Sequence, residues 1–188
     1  MRFFRKQPPP VPKLARRVPR PWHQPQAEFP GIVPIDSLQF DRSEQAAIAI
    51  TGLSAYTTGF EIFVTCLIRP DAPSLDADPM PGAPRATPAA RQYFQLSLQL
   101  ANGSKVIGGR PHGDAEPTGP ILWPGGGGGT SHYRHLRWWA WPLPPTGPLE
   151  FICQWPMVGI GETRVGMDAQ LILDASQRSV RVWPEGEA

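Results

Sequence analysis

The sequence predicts a mainly β fold: an antiparallel β-sandwich of immunoglobulin or jelly-roll type. It carries one short C-terminal helix and an extended proline-rich N-terminal arm. Three observations predict this. Several segments alternate apolar and polar residues with a period of two, as half-buried strands do. Turn-forming residues separate these segments. Twenty-five prolines in 188 residues exclude long helices and coiled coils. No βαβ alternation occurs, which excludes a doubly wound parallel sheet. With 40% apolar residues, the chain has the material for one core.

Residues 1–30 read as a basic, proline-rich, disordered arm. Pro8, Pro9, Pro10, Pro12, Pro19, Pro21 and Pro25 favour extended polyproline backbone and forbid a regular helix. Residues 31–188 read as the sandwich domain. Ala46, Ile48 and Ile50 share one face of a first strand. Phe60, Ile62, Val64, Cys66 and Ile68 share one face of the next, and Phe94, Leu96, Leu98 and Leu100 of a third. Asn102-Gly103 suits a type I′ turn returning the chain through Lys105–Ile107. The stretch from His132 to Leu143 is strand-like and rich in tryptophan. Leu149, Phe151, Cys153 and Trp155 again share one face. Asp168 is placed to cap a helix through Ala169–Ala175, and Arg178–Trp183 reads as a last strand. Residues 70–90 and 108–131 read as mobile loops, the first for its six prolines and the second for its glycine tract Gly125–Gly129.

Charge is divided unevenly. Residues 1–25 hold seven cations (Arg2, Arg5, Lys6, Lys13, Arg16, Arg17 and Arg20) and no acid. The rest holds eleven cations against sixteen acids, a net −5. A basic arm on an acidic body suits an anionic partner, or a tail that docks on its own body. No apolar run is long enough to span a membrane as a helix. The basic start is followed by Gln7 and prolines rather than an apolar stretch, so a secretory signal is not expected and the cytoplasm is.

The motifs for catalysis are weak. Thr130-Ser131-His132 follows the glycine tract where a phosphate loop needs Gly-Lys-Ser/Thr, so the tract reads as a connector. His132 and His135, three apart, face opposite sides of a strand. With His112 and Asp114 they outline a metal or hydrolase site only if the preceding loop folds over them. Cys66 and Cys153 sit on expected core faces, as buried thiols or as a bridge between sheets. No Gly-x-Ser-x-Gly elbow occurs, and no cofactor or metal is expected.

The tryptophan-rich strand is the most informative segment. Tyr133, His135, Trp139 and Trp141 alternate with Arg134, Leu136, Trp138 and Ala140, so neither face is simply polar. Two readings follow. Both faces are covered, one by the opposite sheet and the other by the arm or a loop. Alternatively, one aromatic face stays open for a partner or a sugar. The candidate partner-binding residues are Tyr133, Arg134, His135, Arg137, Trp138, Trp139 and Trp141.

The string Arg137-Trp138-Trp139-Ala140-Trp141-Pro142-Leu143-Pro144-Pro145, followed by Gly147-Pro148-Leu149, Trp155-Pro156, Gly159-Ile160 and Glu162-Thr163, carries a resemblance. Together with the glycine tract, it is similar to a family of uncharacterised actinobacterial proteins of this length, over roughly residues 30–185. The resemblance implies a bacterial, non-secreted protein and supplies no catalytic residue.

The expected function is therefore a non-enzymatic module for protein–protein interaction, or a structural one, whose partner is another protein or a second copy. The alternative is weak, non-specific binding of nucleic acid or an anionic surface through the seven arm cations. A third reading is a small hydrolase or metal enzyme built on the histidines.

Overall fold

The computed structural model describes residues 20–23, 27–72, 92–109 and 116–183. The fold is mainly β with antiparallel sheets and a single helix among the described residues, as the alternation predicts. The strands are β1 (Glu28–Phe29), β2 (Gly31–Ile32), β3 (Leu38–Arg42), β4 (Ala46–Ala55), β5 (Phe60–Ile68) and β6 (Gln95–Gln99). They continue with β7 (Lys105–Ile107), β8 (Ile121–Gly129), β9 (Tyr133–Trp141), β10 (Pro148–Trp155), β11 (Ile160–Asp168) and β12 (Val180–Arg181). Helix α1 spans Gln170–Ser176.

The larger sheet runs β2-β4-β5-β9-β8, with β3 also paired to β4. The smaller runs β11-β10-β6-β7, and β1 pairs with β12 in a separate ribbon. The inward faces of the two sheets make one core. Ile48, Ile50, Phe60, Ile62, Val64 and Trp138 meet Leu96, Leu98, Phe151, Cys153 and Trp155 there. Each valine, leucine, isoleucine or phenylalanine among them, fully buried, contributes roughly 1.5–3 kcal/mol. The sheets are also stitched at both margins. Gly109 N–H donates to Leu122 O (2.9 Å) on one side, and Thr163 Oγ1 donates to Phe40 O (3.1 Å) on the other.

Strand β4 is longer than its alternation suggests. A bulge between Ile50 and Gly52 shifts the register against β5, so Ile48 and Ile50 and then Leu53 and Ala55 all face inward. Asp168 Oδ1 accepts the Gln170 N–H (2.9 Å) at the start of the helix. The helix is displaced by one residue from the expected Ala169–Ala175, and Ala169, not Asp168, holds the capping position, without a side-chain bond.

Four expectations are corrected. The loop expected over 108–131 holds β8 from Ile121 to Gly129, so the glycine tract is strand and not connector. Glycine is a poor strand former, but β9 supplies a paired partner from Gly126 to Gly129, with Gly125 in a bulge. Gly126 sits at a bulge with φ of 116°, and a Cβ on Gly127 would lie 2.4 Å from His135 O. At both positions the backbone geometry itself selects glycine. The Asn102-Gly103 turn is not type I′. Only Gly103 has positive φ, and its N–H closes a turn onto Leu100 O (2.9 Å), the pattern of a turn followed by a glycine bulge. The arm ends before residue 30, because Glu28–Phe29 is already paired with Val180–Arg181. Residues 20–23 form a hydrogen-bonded turn and not extended polyproline, with His23 N–H donating to Arg20 O (2.9 Å). Residues 73–91, the bulk of the other expected loop, lie outside the described residues.

Candidate functional site

The outer face of the larger sheet carries Tyr133, His135, Arg137, Trp139 and Trp141 of the residues that the sequence nominates, and it divides into two ends. At one end Trp123 of β8 and Trp139 of β9 are direct cross-strand partners, as are Ile121 and Trp141. The turn Arg20–His23 lies over them. Trp139 Nε1 donates to Pro21 O (3.2 Å). Trp22 meets Trp141 edge-on at 6.1 Å between ring centres, and His23 meets Trp123 at 5.1 Å. The Arg20 guanidinium stands 5.6 Å from the centre of the Trp22 ring.

Beneath the turn lies a short polar stitch. Tyr56 packs edge-on against Trp139 at 5.6 Å. Its hydroxyl donates to Glu61 Oε2 (2.9 Å), and Arg137 Nε lies 3.5 Å from Glu61 Oε1. Burial pushes the Tyr56 hydroxyl well above its ordinary pKa, and the adjacent Glu61 charge pushes it further. Glu28, also buried, accepts from the Thr57 N–H (2.9 Å) and from the Thr57 hydroxyl. These bonds fix the strand that follows the arm against the β4–β5 turn.

At the other end the glycine tract leaves the face open. Leu67 and Tyr133 are cross-strand partners and both are exposed. His135, also exposed, lies against Gly128, where a Cβ would come 3.1 Å from the imidazole. Arg137 Nη2 donates to Gly125 O (2.9 Å) across the bulge.

The nominated residues therefore separate. Tyr133, His135 and Arg137 are exposed on the outer face, and Arg134 is half-buried. Trp139 and Trp141 lie beneath the arm's turn. Trp138 points the other way, into the core beside Phe94, and is removed from any outer face. Arg2, Arg5, Lys6, Lys13, Arg16 and Arg17 lie outside the described residues, as does His112. His132 and His135 are exposed, and no group of three His, Cys, Asp or Glu converges among the described residues. Cys66 and Cys153 are both buried thiols. Burial pushes the Cys153 thiol far above the usual thiol range, and Cys66 adds to the shift.

A further surface escaped the sequence reading. In the β1–β12 ribbon Phe29 and Val180 are direct partners, 67% and 60% exposed. Val182 and Trp183 follow and are also exposed, and Ile32 is exposed just after the ribbon. Val180 and Val182 were legible as strand residues. Their exposure was not, because alternation reports a face without saying what lies against it.

Compared with known proteins, the chain matches no family model, no curated protein and no solved structure.

Proposed function

We propose that this chain is a non-enzymatic β-sandwich module for protein–protein association, and that the β1–β12 ribbon is its contact surface. One observation carries the reading: the ribbon presents Phe29 and Val180 side by side in solvent. A two-stranded ribbon is marginal in water on its own. Contiguous exposed apolar surface on a strand pair is what a partner chain covers. The ribbon is held to the body by polar bonds, Arg178 Nη2 to Ile32 O (2.9 Å) and Glu28 to Thr57, which leave its apolar side uncommitted. The partner is a second copy or another protein with an apolar face or strand edge. The basic arm adds long-range attraction toward an acidic partner.

The test is a double substitution, Phe29→Ser with Val180→Thr, in the full chain. Both side chains are exposed, so the melting temperature stays within about 2 °C of wild type. Sedimentation over a concentration series, and native mass spectrometry of the protein isolated from its own cells, are expected to show a complex that the variant loses. An unchanged mass distribution would sink the reading. Tyr133→Ser is the control: if it alone releases the partner, the contact lies on the open sheet face instead.

A further inference from the structure

We infer that Trp123, Trp139 and Trp141 form a receptor groove for a short Arg-Pro-aromatic-His turn, and that the chain's own Arg20–His23 segment plugs it. This inference concerns a different surface from the ribbon and stands whether or not the ribbon binds anything.

The groove has the parts that proline-containing peptides use when they dock on aromatic surfaces. An indole donor, Trp139 Nε1, takes the carbonyl of the proline (3.2 Å). Two further rings flank it: Trp141 receives the aromatic residue after the proline, and Trp123 receives the next imidazole. All three tryptophans stand on paired strands of one sheet, so the groove is built on rigid elements. The ligand is preorganised as well. Pro21 occupies the second position of the Arg20–His23 turn, where its fixed φ is favoured, and this lowers the entropy lost on docking.

The plug also fits imperfectly. Trp22 Nε1 is buried with no hydrogen-bond partner among the described residues. A buried donor left unmatched weakens the contact that buries it. The segment is retained because it is tethered, its last residue His23 standing four positions ahead of Ala27 in the chain. Short tethers give effective concentrations in the millimolar range. A free peptide of the same chemistry, with an acceptor placed for its indole N–H, would therefore displace the plug without rebuilding the groove. The occupant is a peptide with a basic residue, a proline, an aromatic and a histidine in a turn.

The experiment titrates a labelled synthetic peptide copying residues 17–26 into three full-length proteins: wild type, Trp22→Ala and Trp22→Ala/Trp141→Ala. The first substitution loosens the plug and leaves the groove. The second removes one wall. Peptide binding to Trp22→Ala is expected to be at least tenfold tighter than to wild type, and to be lost in the double variant. A peptide carrying the same Trp22→Ala change is expected not to bind. Equal affinity for wild type and Trp22→Ala, or no binding to either, overturns the inference. If Trp22→Ala fails to fold, Pro21→Gly serves, since it relaxes the turn and keeps every ring. Binding to it is expected to lie above wild type, and equality with wild type again overturns the proposal.

Discussion

Trp138 and Trp139 are neighbours in sequence, 1% and 2% exposed, and their burial has different origins. Trp138 faces inward and is covered by the opposing sheet, with Phe94 beside it and the core continuous around it. Trp139 faces outward and is covered by one turn of the arm, with Tyr56 at its side. The first burial is shared among many strands and can be undone only with the fold. The second is shared between that turn, Tyr56 and Gly59, and the part the turn supplies can be undone by moving four residues. Equal solvent exposure thus conceals unequal free energy, and the difference can be measured.

The largest effect should come from Trp138→Ala. Removing a fully enclosed indole from a close-packed core costs about 3–5 kcal/mol, because the neighbouring sheets collapse only partly into the space. Trp139→Ala should cost less than that range, nearer 2 kcal/mol, because the arm's turn or solvent fills the space it leaves. Denaturant unfolding of both variants checks this through their midpoints at unchanged m-value. Equal losses would mean that the outer cluster is as integral as the inner one, and the contrast would fail.

Two intermediate effects sharpen the same contrast on the outer side. Glu61→Ala removes the acceptor of the buried Tyr56 hydroxyl and should cost about 1–3 kcal/mol. Gly127→Ala forces a Cβ against His135 O and should also cost about 1–3 kcal/mol by prising β8 from β9. The first should disturb the tryptophan end and the second the open end. Amide exchange would show which strand pairs lose protection; loss of protection in β4 and β5 after Gly127→Ala would contradict the division.

A pH dependence separates the layers too. Cys153 faces the core and Tyr56 the outer cluster, and burial raises both pKa values. The native state holds each proton, while the unfolded chain releases its thiol proton near pH 8.5 and its phenol proton near pH 10. Above those values the unfolded state binds fewer protons than the native state, so stability falls as pH rises. Each group contributes a slope of up to about 1.4 kcal/mol per pH unit until its native pKa is reached. Cys153→Ala should flatten the fall that begins near pH 8.5, and Tyr56→Phe the added fall near pH 10. A wild-type stability constant from pH 8 to 10 would contradict the enclosed position of Cys153.

The inner layer was legible in the sequence and the outer one was not, for physical reasons. Phe60, Leu96 and Phe151 declare themselves by period-two alternation because one side of each strand is uniformly apolar. The glycine tract offers no side chains to alternate, so β8 is specified by its partner β9 rather than by itself. β11 was missed because its exposed and half-buried residues mix charge with glycine along an edge strand. β3 was missed because a bulge between Gln39 and Asp41 breaks its period. The candidate site was half legible. The aromatic excess of β9 marked the strand, and covering by the arm was one of its two readings. But the contact from Pro21 to Trp139 joins residues 118 apart, which no local pattern encodes.

The smallest expected effect is the most discriminating. Replacing Trp139 with benzothienylalanine keeps the fused two-ring system against Tyr56 and substitutes sulfur for the indole N–H that donates to Pro21 O. A single neutral hydrogen bond contributes about 0.5–1.5 kcal/mol net. Where that loss appears decides between two pictures of the arm. If the turn belongs to the cooperative fold, global unfolding should shift by that amount. If the turn docks as a separate, weakly held piece, the global midpoint should stay put and only the local equilibrium should move. The second outcome is expected, because among the described residues two ring contacts and one hydrogen bond join the turn to the sheet. It would be seen as a several-fold rise in proteolytic cleavage within the turn at residues 20–23, with the melting curve of the sandwich unchanged.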